Sequence, residues 1–508
     1  MIKNCRLLRL QYFMKFMLET EHKLKYRKDF SYRGGTMERG EFRKIIEWDK
    51  KYVHHGLFAD IELPILYADR TEGVYFYDEA GRKVLDFGSN VWCNTLGHRH
   101  PKIVQAIKEA YDKIDCMHLG FMTEYRAKAA KLIVEECASP WASEVKFTAG
   151  GGSEANEYAL WLASVYTGRP YIVTRDNAFH GRTCGSGALT RMSHLTLTLL
   201  SAKTSDVRRC PYYEGQKVLI APPPYCYRCP FGWTYPDCKR ANGGLLACIR
   251  RTRDIIRCAG ADTVAAIVTE VVFGVGGNIV PPPEYIPQLR DITKKLGVLW
   301  IDDEVICGFG RTGKWFAYQH YNVEPDMVTF AKGVTSAHYP LGGVIIGSEI
   351  AKWLEEWRAM NPGTYDDFPP ALAAAIATIE TIKEENILDH VSKVGRYLGD
   401  RLKELQDRHK CVGHVDGIGL MWSLHLVKNK ETKEPIVEED IYFVGAGDVS
   451  FVPTNILTVK CLEAGLYIAA FQPNIVSLQP PLTITEEEVD KGVSILDEQL
   501  KEIDKLCD

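Results

Sequence analysis

Leu299-Trp300-Ile301-Asp302-Asp303-Glu304-Val305 is an apolar run that ends in three consecutive acids. Strongly hydrophobic strands of this kind belong to mostly parallel sheets covered by helices. The carboxyl end of such a strand is where these sheets open a ligand crevice. Lys332, in Phe330-Ala331-Lys332-Gly333, lies 29 residues beyond Asp303. A lysine amine and a strand-end carboxylate can hold an electrophilic aldehyde cofactor between them, one as a Schiff base and the other on a ring nitrogen.

From about Ser143 onward, short apolar strands alternate with helical stretches: Val145-Lys146-Phe147, Tyr171-Ile172-Val173, Val218-Leu219-Ile220, Ala265-Ala266-Ile267-Val268 and Val298-Leu299-Trp300-Ile301. That alternation predicts an α/β fold with a mostly parallel sheet, and Glu270 follows a strand candidate as Asp303 does. Upstream, Val74-Tyr75-Phe76-Tyr77 and Val84-Leu85-Asp86-Phe87 flank a turn at Gly81, predicting a small N-terminal sheet; 101–111 has helical spacing. Downstream, 371–379 reads as a buried helix leading to a C-terminal domain with helices around 391–408 and 486–503. Gly417-Ile418-Gly419-Leu420-Met421-Trp422 and Leu466-Tyr467-Ile468 are its strand candidates.

The chain has 508 residues, 46% hydrophobic and 25% charged, with 62 basic and 66 acidic side chains giving a net charge of -4. This is the profile of a globular protein with a large core, with no electrostatic reason to expect nucleic acid. The first 33 positions gather basic residues interrupted by Met, Phe and Tyr, and the segment 8–18 is too short and polar for a transmembrane span. An extension over 1–35 that frays or packs on a subunit is expected, with no membrane partner and no secretory signal. The 15 cysteines favour a reducing cytoplasm. Cys226-Tyr227-Arg228-Cys229 has the first spacing of a zinc site, which Cys238 and Cys248 could complete. Cys210 and Cys258 add to the local enrichment. Pro222-Pro223-Pro224, Pro230 and Pro236 instead mark a surface excursion in which reduced cysteines simply pack, and no metal is assigned.

Gly150-Gly151-Gly152-Ser153-Glu154-Ala155-Asn156 follows a strand candidate and opens a helical stretch, where free amides can cradle a phosphate. Its spacing matches neither a Walker loop nor a dinucleotide fingerprint. Taken with Asp303-Glu304-Val305-Ile306-Cys307-Gly308-Phe309-Gly310-Arg311-Thr312-Gly313, Phe330-Ala331-Lys332-Gly333 and Pro340-Leu341-Gly342-Gly343, the chain resembles the class III aminotransferases over roughly residues 45–500.

The resemblance implies the aspartate aminotransferase-like fold type I: a mostly parallel seven-stranded sheet in a large domain, with a smaller α+β domain from both termini. The boundaries expected are 1–35 for the extension, 36–95 and 376–508 for the small domain, and 96–375 for the large one. It implies pyridoxal 5'-phosphate, with Lys332 as covalent anchor and proton carrier and Asp303 on the pyridine nitrogen. Gly152 and Ser153 would bind the phosphate, Phe179 and Val305 would sandwich the ring, and Glu270 would stand nearby. Thr364 would come from the other subunit of a homodimer or dimer of dimers. Glu304 is expected to give structural support.

Departures from the family pattern bear on substrate. Many relatives that use 2-oxoglutarate carry an arginine before Pro-Pro-Leu, paired at rest with a glutamate; the matching positions here are Ser477 and Val275. Losing both is physically consistent, since one alone would be an uncompensated charge in a closing site. Asp416 and Ala469-Ala470 stand where relatives often have arginine. Val305-Ile306-Cys307-Gly308 is similar to the omega-amino-acid:pyruvate branch, with Phe58 and Trp92 shaping the pocket. The reading is therefore a cytoplasmic omega-aminotransferase. A racemase, epimerase or lyase on the same cofactor is the enzymatic alternative, and a metal-stabilised interaction protein the non-enzymatic one.

Overall fold

The computed structural model describes residues 39–53, 68–78, 81–191, 215, 217–437 and 452–507. The extension 1–35, Phe58 and Cys210 lie outside the described residues. Near the N-terminus, β1 (Ala68–Glu72), β2 (Tyr75–Asp78) and β3 (Lys83–Asp86) form an antiparallel ladder, as the alternation around Gly81 predicts.

The central sheet has seven strands: β4 (Ala142–Thr148), β5 (Tyr171–Arg175), β6 (Val218–Ala221), β7 (Val264–Thr269), β8 (Leu299–Asp303), β9 (Met327–Phe330) and β10 (Gly342–Gly347). Their order is β4-β10-β9-β8-β7-β5-β6. From β6 to β9 the neighbours run parallel, and β10 runs antiparallel to both β9 and the edge strand β4. All six residues of β7 are buried, which is why its sequence is continuously apolar rather than alternating. β9 and β10 are absent from the strands expected above; β9 is only four residues long, and glycines begin and end β10.

Helices cover the sheet. The helix Gly152–Thr167 lays Ala155, Ala159 and Ala163, all fully buried, toward β7, β9 and β10. Side chains this small allow close approach of helix to sheet. Pro369–Glu384, buried along most of its length, packs on Pro101–Lys113. The expected stretch 371–379 is the middle of that helix.

The chain then continues through the helix Ile387–Arg408 into β11 (Val412–Ile418) and β12 (Met421–Leu426). The segment expected as one strand over 417–422 is instead a reversal. Ile418 pairs with Met421, and Gly419 takes a left-handed φ of 57° between them. β13 (Leu466–Tyr467) runs parallel to β3, so the first sheet draws strands from both ends of the chain. β14 (Ala469–Gln472) and β15 (Ile475–Leu478) complete a sheet in the order β11-β12-β15-β14. The last helix, Glu486–Asp504, opens on a capping box: Thr485 Oγ accepts from Glu488 N at 3.2 Å, and Glu488 Oε2 accepts from Thr485 N at 3.0 Å. Among the described residues, no helix is long and apolar enough to cross a membrane.

Candidate active site

The carboxyl ends of β5, β7, β8 and β9 converge on a cavity of about 170 Å³. Its walls carry Gly152, Ser153, Phe179, Glu270, Asp303, Val305 and Lys332, seven of the residues expected from sequence, together with Asn156, His180, Gly181 and Ile306. A second hollow of about 240 Å³, beside Glu157, Trp161 and Lys217, gathers no such set of reactive groups.

Asp303 ends β8 and is 3% exposed, yet it is well supplied with donors. Its Oδ2 accepts from Asn156 Nδ2 at 2.8 Å and from His180 Nδ1 at 2.7 Å, while Oδ1 accepts from Val305 N at 3.1 Å. These three donors hold the carboxylate in place at the end of the strand. The contact also fixes the His180 tautomer with hydrogen on Nδ1, leaving Nε2 buried without a protein partner. Thr329 on β9 donates to Asn156 Oδ1 at 2.9 Å and so turns the amide nitrogen toward Asp303. Asn156 and His180 are absent from the candidate set above. A polar Asn156 among the apolar positions of a buried helix was the available signal.

Lys332 follows β9 with φ 43°, and burial lowers its amine below the usual lysine range. Its Nζ lies 5.7 Å from the ring centre of Trp92, which is itself buried and is not among the residues lining the cavity. Glu270 is 2% exposed; burial raises its carboxyl, Oε2 accepts from Gly274 N at 2.8 Å, and Oε1 has no partner.

At the other end, Gly151 has φ 73° and the helix Gly152–Thr167 begins without a side-chain cap. A Cβ on Gly152 would stand 2.8 Å from Val305 Cγ1, and one on Gly181 2.8 Å from Ser153 Oγ. These glycines keep the space between Val305, Ser153 and the helix start open. Free amides there suit a phosphate. The donor set fits pyridoxal phosphate: a helix start for the phosphate, Phe179 and Val305 for the ring faces, Asp303 Oδ1 for a ring N–H, and a desolvated amine for the aldehyde.

Thr364 does not line this cavity and is exposed, in a loop where Asp366 contacts Lys146 and Asp367 pairs with Arg126 at 2.6 Å. Val275 and Ser477 are 6% and 4% exposed, both buried without charge. Asp416 caps Val280 N and Gly417 N at 3.2 and 2.9 Å, and burial pushes it up to about 7. Cys226 and Cys248 are both pushed up to about 12 by burial. Among the described residues no group of three or more His, Cys, Asp or Glu is arranged to hold a metal.

A sequence model described as aminotransferase class-III matches residues 59–500. The chain is 32% identical to a putrescine–pyruvate aminotransferase of Pseudomonas aeruginosa, over 84% of this chain and 88% of the relative. It is also 32% identical to a leucine/methionine racemase of Thermococcus litoralis, over 86% and 91%. Among solved structures, taurine:2-oxoglutarate aminotransferase from Bifidobacterium kashiwanohense, in complex with PLP and glutamate, superposes with a TM-score of 0.81 at 31% identity, over 93% of this chain and 100% of that one.

Proposed function

The chain belongs to the class III aminotransferases, which are pyridoxal-phosphate-dependent enzymes, and on that footing we propose that it takes its amino group from an omega-amino donor such as taurine or beta-alanine. The acceptor is a small 2-oxo acid such as pyruvate or 2-oxoglutarate. The observation that carries this reading is Lys332 and Asp303 lining one cavity, in a chain whose Val275 and Ser477 are buried and uncharged. Without the arginine and glutamate, a terminal amine meets no charge set aside for a dicarboxylate. The relative named as acting on putrescine and the structure named for taurine support a terminal-amine donor.

When bound, the cofactor supplies an electron sink for bond cleavage at the amine carbon. The protein does the rest. Lys332 Nζ would hold the aldehyde of the cofactor, and the same amine would carry the proton at the reacting carbon. Its desolvation keeps the neutral amine available as a base. Asp303, which accepts from Asn156, His180 and Val305 N, would accept the N–H of the ring nitrogen. Gly152, Ser153 and the helix start would bind the phosphate, while Phe179 and Val305 would pack on the ring. Donor and acceptor use the one cavity in turn, giving ping-pong kinetics. The exposed Thr364 loop would complete the phosphate site of a second subunit in a homodimer or dimer of dimers, and the enzyme would work in the cytoplasm.

A panel of amine donors, each mixed alone with the holoenzyme, tests the reading: a competent donor converts bound pyridoxal phosphate to pyridoxamine phosphate, and pyruvate or 2-oxoglutarate reverses it. The likeness to a racemase favours one second reading, interconversion of amino-acid enantiomers in this cavity. Racemisation without any oxo acid, and with no pyridoxamine phosphate formed, would replace the aminotransferase assignment.

A further inference from the structure

The position matching the absent arginine, Ser477, lies on β15 opposite Ser423 of β12. His425 is two residues further along β12, opposite Ile475, and so shares that face. The face meets the turn after β7 that carries Val275. Ser423 Oγ lies 2.7 Å from Gly277 O and 3.0 Å from His425 Nε2, and His425 Nδ1 lies 2.6 Å from Tyr225 Oη. Gly277 has φ 122°, and a Cβ there would stand 2.7 Å from Ile475 Cδ1. A side chain at 277 would be strained by that φ and would have to displace the tip of Ile475.

The hydrogens in this row can be ordered. A serine hydroxyl has one hydrogen, and the carbonyl of Gly277 can only accept, so Ser423 donates there. Ser423 then accepts from His425 Nε2–H, His425 Nδ1 is bare, and Tyr225 donates to it. We propose that Tyr225, His425 and Ser423 form an uncharged, proton-ordered chain that positions the Gly274–Gly277 turn, and through it Glu270, against the cofactor cavity. The proposal rests on the aminotransferase reading of that cavity. It gives the three side chains the place that a charged pair occupies in many relatives.

The path to the cavity is short. Gly277 N and Asn278 N both donate to Gly274 O at 3.1 Å, and Gly274 N donates to Glu270 Oε2 at 2.8 Å. A Cβ on Gly274 would be 2.4 Å from Ile306 Cδ1, so the turn also packs directly on the cavity wall. Tyr225 comes from the cysteine-containing excursion. That excursion is anchored beside it, with Tyr227 stacked on His414 at 4.5 Å and Arg228 donating to Leu426 O at 3.4 Å. His425 is fully buried, and burial together with neighbouring His414 and Arg228 pushes it well below the usual histidine range. The titratable and charged groups around it are His414, Arg228, Tyr225 and Tyr227, with Asp416 across the sheet from Ser423. Tyr225, His425 and Ser423 are positioning residues, since none lines the cavity.

The test uses full-length holoenzyme and the donor that it turns over best. In Tyr225→Phe, the donor KM rises about three- to tenfold, the yield of one hydrogen bond, with kcat within about twofold. With Nδ1 freed of its donor, His425 protonates more readily than in the parent while burial still holds it below the usual histidine range, so the climb in the ratio of variant to parent KM is confined to the acid end of the pH profile. Ser423→Ala raises KM similarly but adds no pH dependence, and Ser423→Thr restores the parent value. Both damaging variants speed hydrogen exchange in the peptide covering 271–280. KM values equal to the parent, a loss confined to kcat, or unchanged exchange in that peptide each overturn the proposal. If the parent turns over no donor, the aminotransferase reading fails and the exchange measurement alone decides this one.

Discussion

Thr329→Val asks how far the Asn156 hydrogen bond to Asp303 depends on a hydroxyl outside the cavity lining. Thr329 is fully buried, and its hydroxyl donates to Asn156 Oδ1 at 2.9 Å. Valine keeps the volume but removes the donor, so this is not a neutral swap. Asn156 Nδ2 then keeps its place on Asp303 Oδ2 and His180 O, each at 2.8 Å, with nothing holding the opposite end of the amide. A flipped amide would set oxygen against carboxylate. A hydrogen bond to a charged group contributes about 1.5–3 kcal/mol, so loosening this one by a third to a half is worth about 1 kcal/mol. That corresponds to about a fivefold loss in kcat/KM. Asn156→Ala removes the donor outright and gives about 10- to 100-fold. Because both changes act through one amide, the double variant behaves like Asn156→Ala alone. Steady-state kinetics at saturating pyridoxal phosphate, with cofactor affinity measured by fluorescence, supply the numbers. Additive losses in the double variant, or an Asn156→Ala enzyme within about twofold of the parent, would refute the reasoning.

Gly152→Ala places a methyl 2.8 Å from Val305 Cγ1; cofactor affinity falls by about tenfold or more, and Val305→Ala in the same chain recovers part of it, as equilibrium dialysis would record. Asp416 has its carboxyl raised from 3.8 to about 7, mainly by burial, so the unfolded chain ionises first and stability declines as pH rises from 3.8 to about 7. The full shift amounts to about 4 kcal/mol, lessened by the 20% of the side chain that stays exposed; in Asp416→Asn, the change in melting temperature relative to the parent is more favourable at pH 8 than at pH 5. Ser477→Arg alone buries an unpaired cation and destabilises by about 3–5 kcal/mol, whereas Ser477→Arg with Val275→Glu loses less and shifts acceptor preference toward 2-oxoglutarate; thermal melts and an acceptor panel separate the two effects.

The chemistry of this chain was more legible than its scaffolding. Lys332, Asp303 and the glycines before Ser153 carry rare residue types at strand ends and a helix start, so their jobs restrict what can stand there. Asn156 and His180 were hidden for the opposite reason: one sits in a helix and the other beside Phe179, and their role exists only through the 2.7–2.8 Å contacts that folding makes. Strand β9 was missed because four buried residues show no period. The reversal at Gly419 was missed because Ile418, Leu420, Met421 and Trp422 read as one apolar run, although Gly419 packs against Arg311 O and leaves no room for a side chain. Nothing in sequence could show that Ser423 and His425 face the Val275 turn, since that contact joins residues 146 apart.

The run Asp302-Asp303-Glu304 raises a question that sequence alone leaves open: how three adjacent acids can sit at the end of a buried strand. Strand alternation divides them. Asp303 points to the cavity and receives three donors. Asp302 and Glu304 share the other face, fully buried, where Glu304 Oε1 accepts from Tyr318 N at 3.0 Å and both oxygens of Asp302 lack a partner among the fixed hydrogen bonds. Burial raises both carboxyls, and their mutual repulsion raises Asp302 further, well above its usual range. Two carboxyls in that position share a proton, so the run delivers two negative charges to the core rather than three. The same neutralisation matters on the cavity side. A fully ionised Asp302 and Glu304 would place two further negative charges behind Asp303, whereas a pair that shares a proton places one. Asp302→Asn should therefore be well tolerated, with kcat/KM within about threefold of the parent, while Asp303→Asn should abolish turnover, and a severe loss in Asp302→Asn would mean that its charge, not its volume, serves the site.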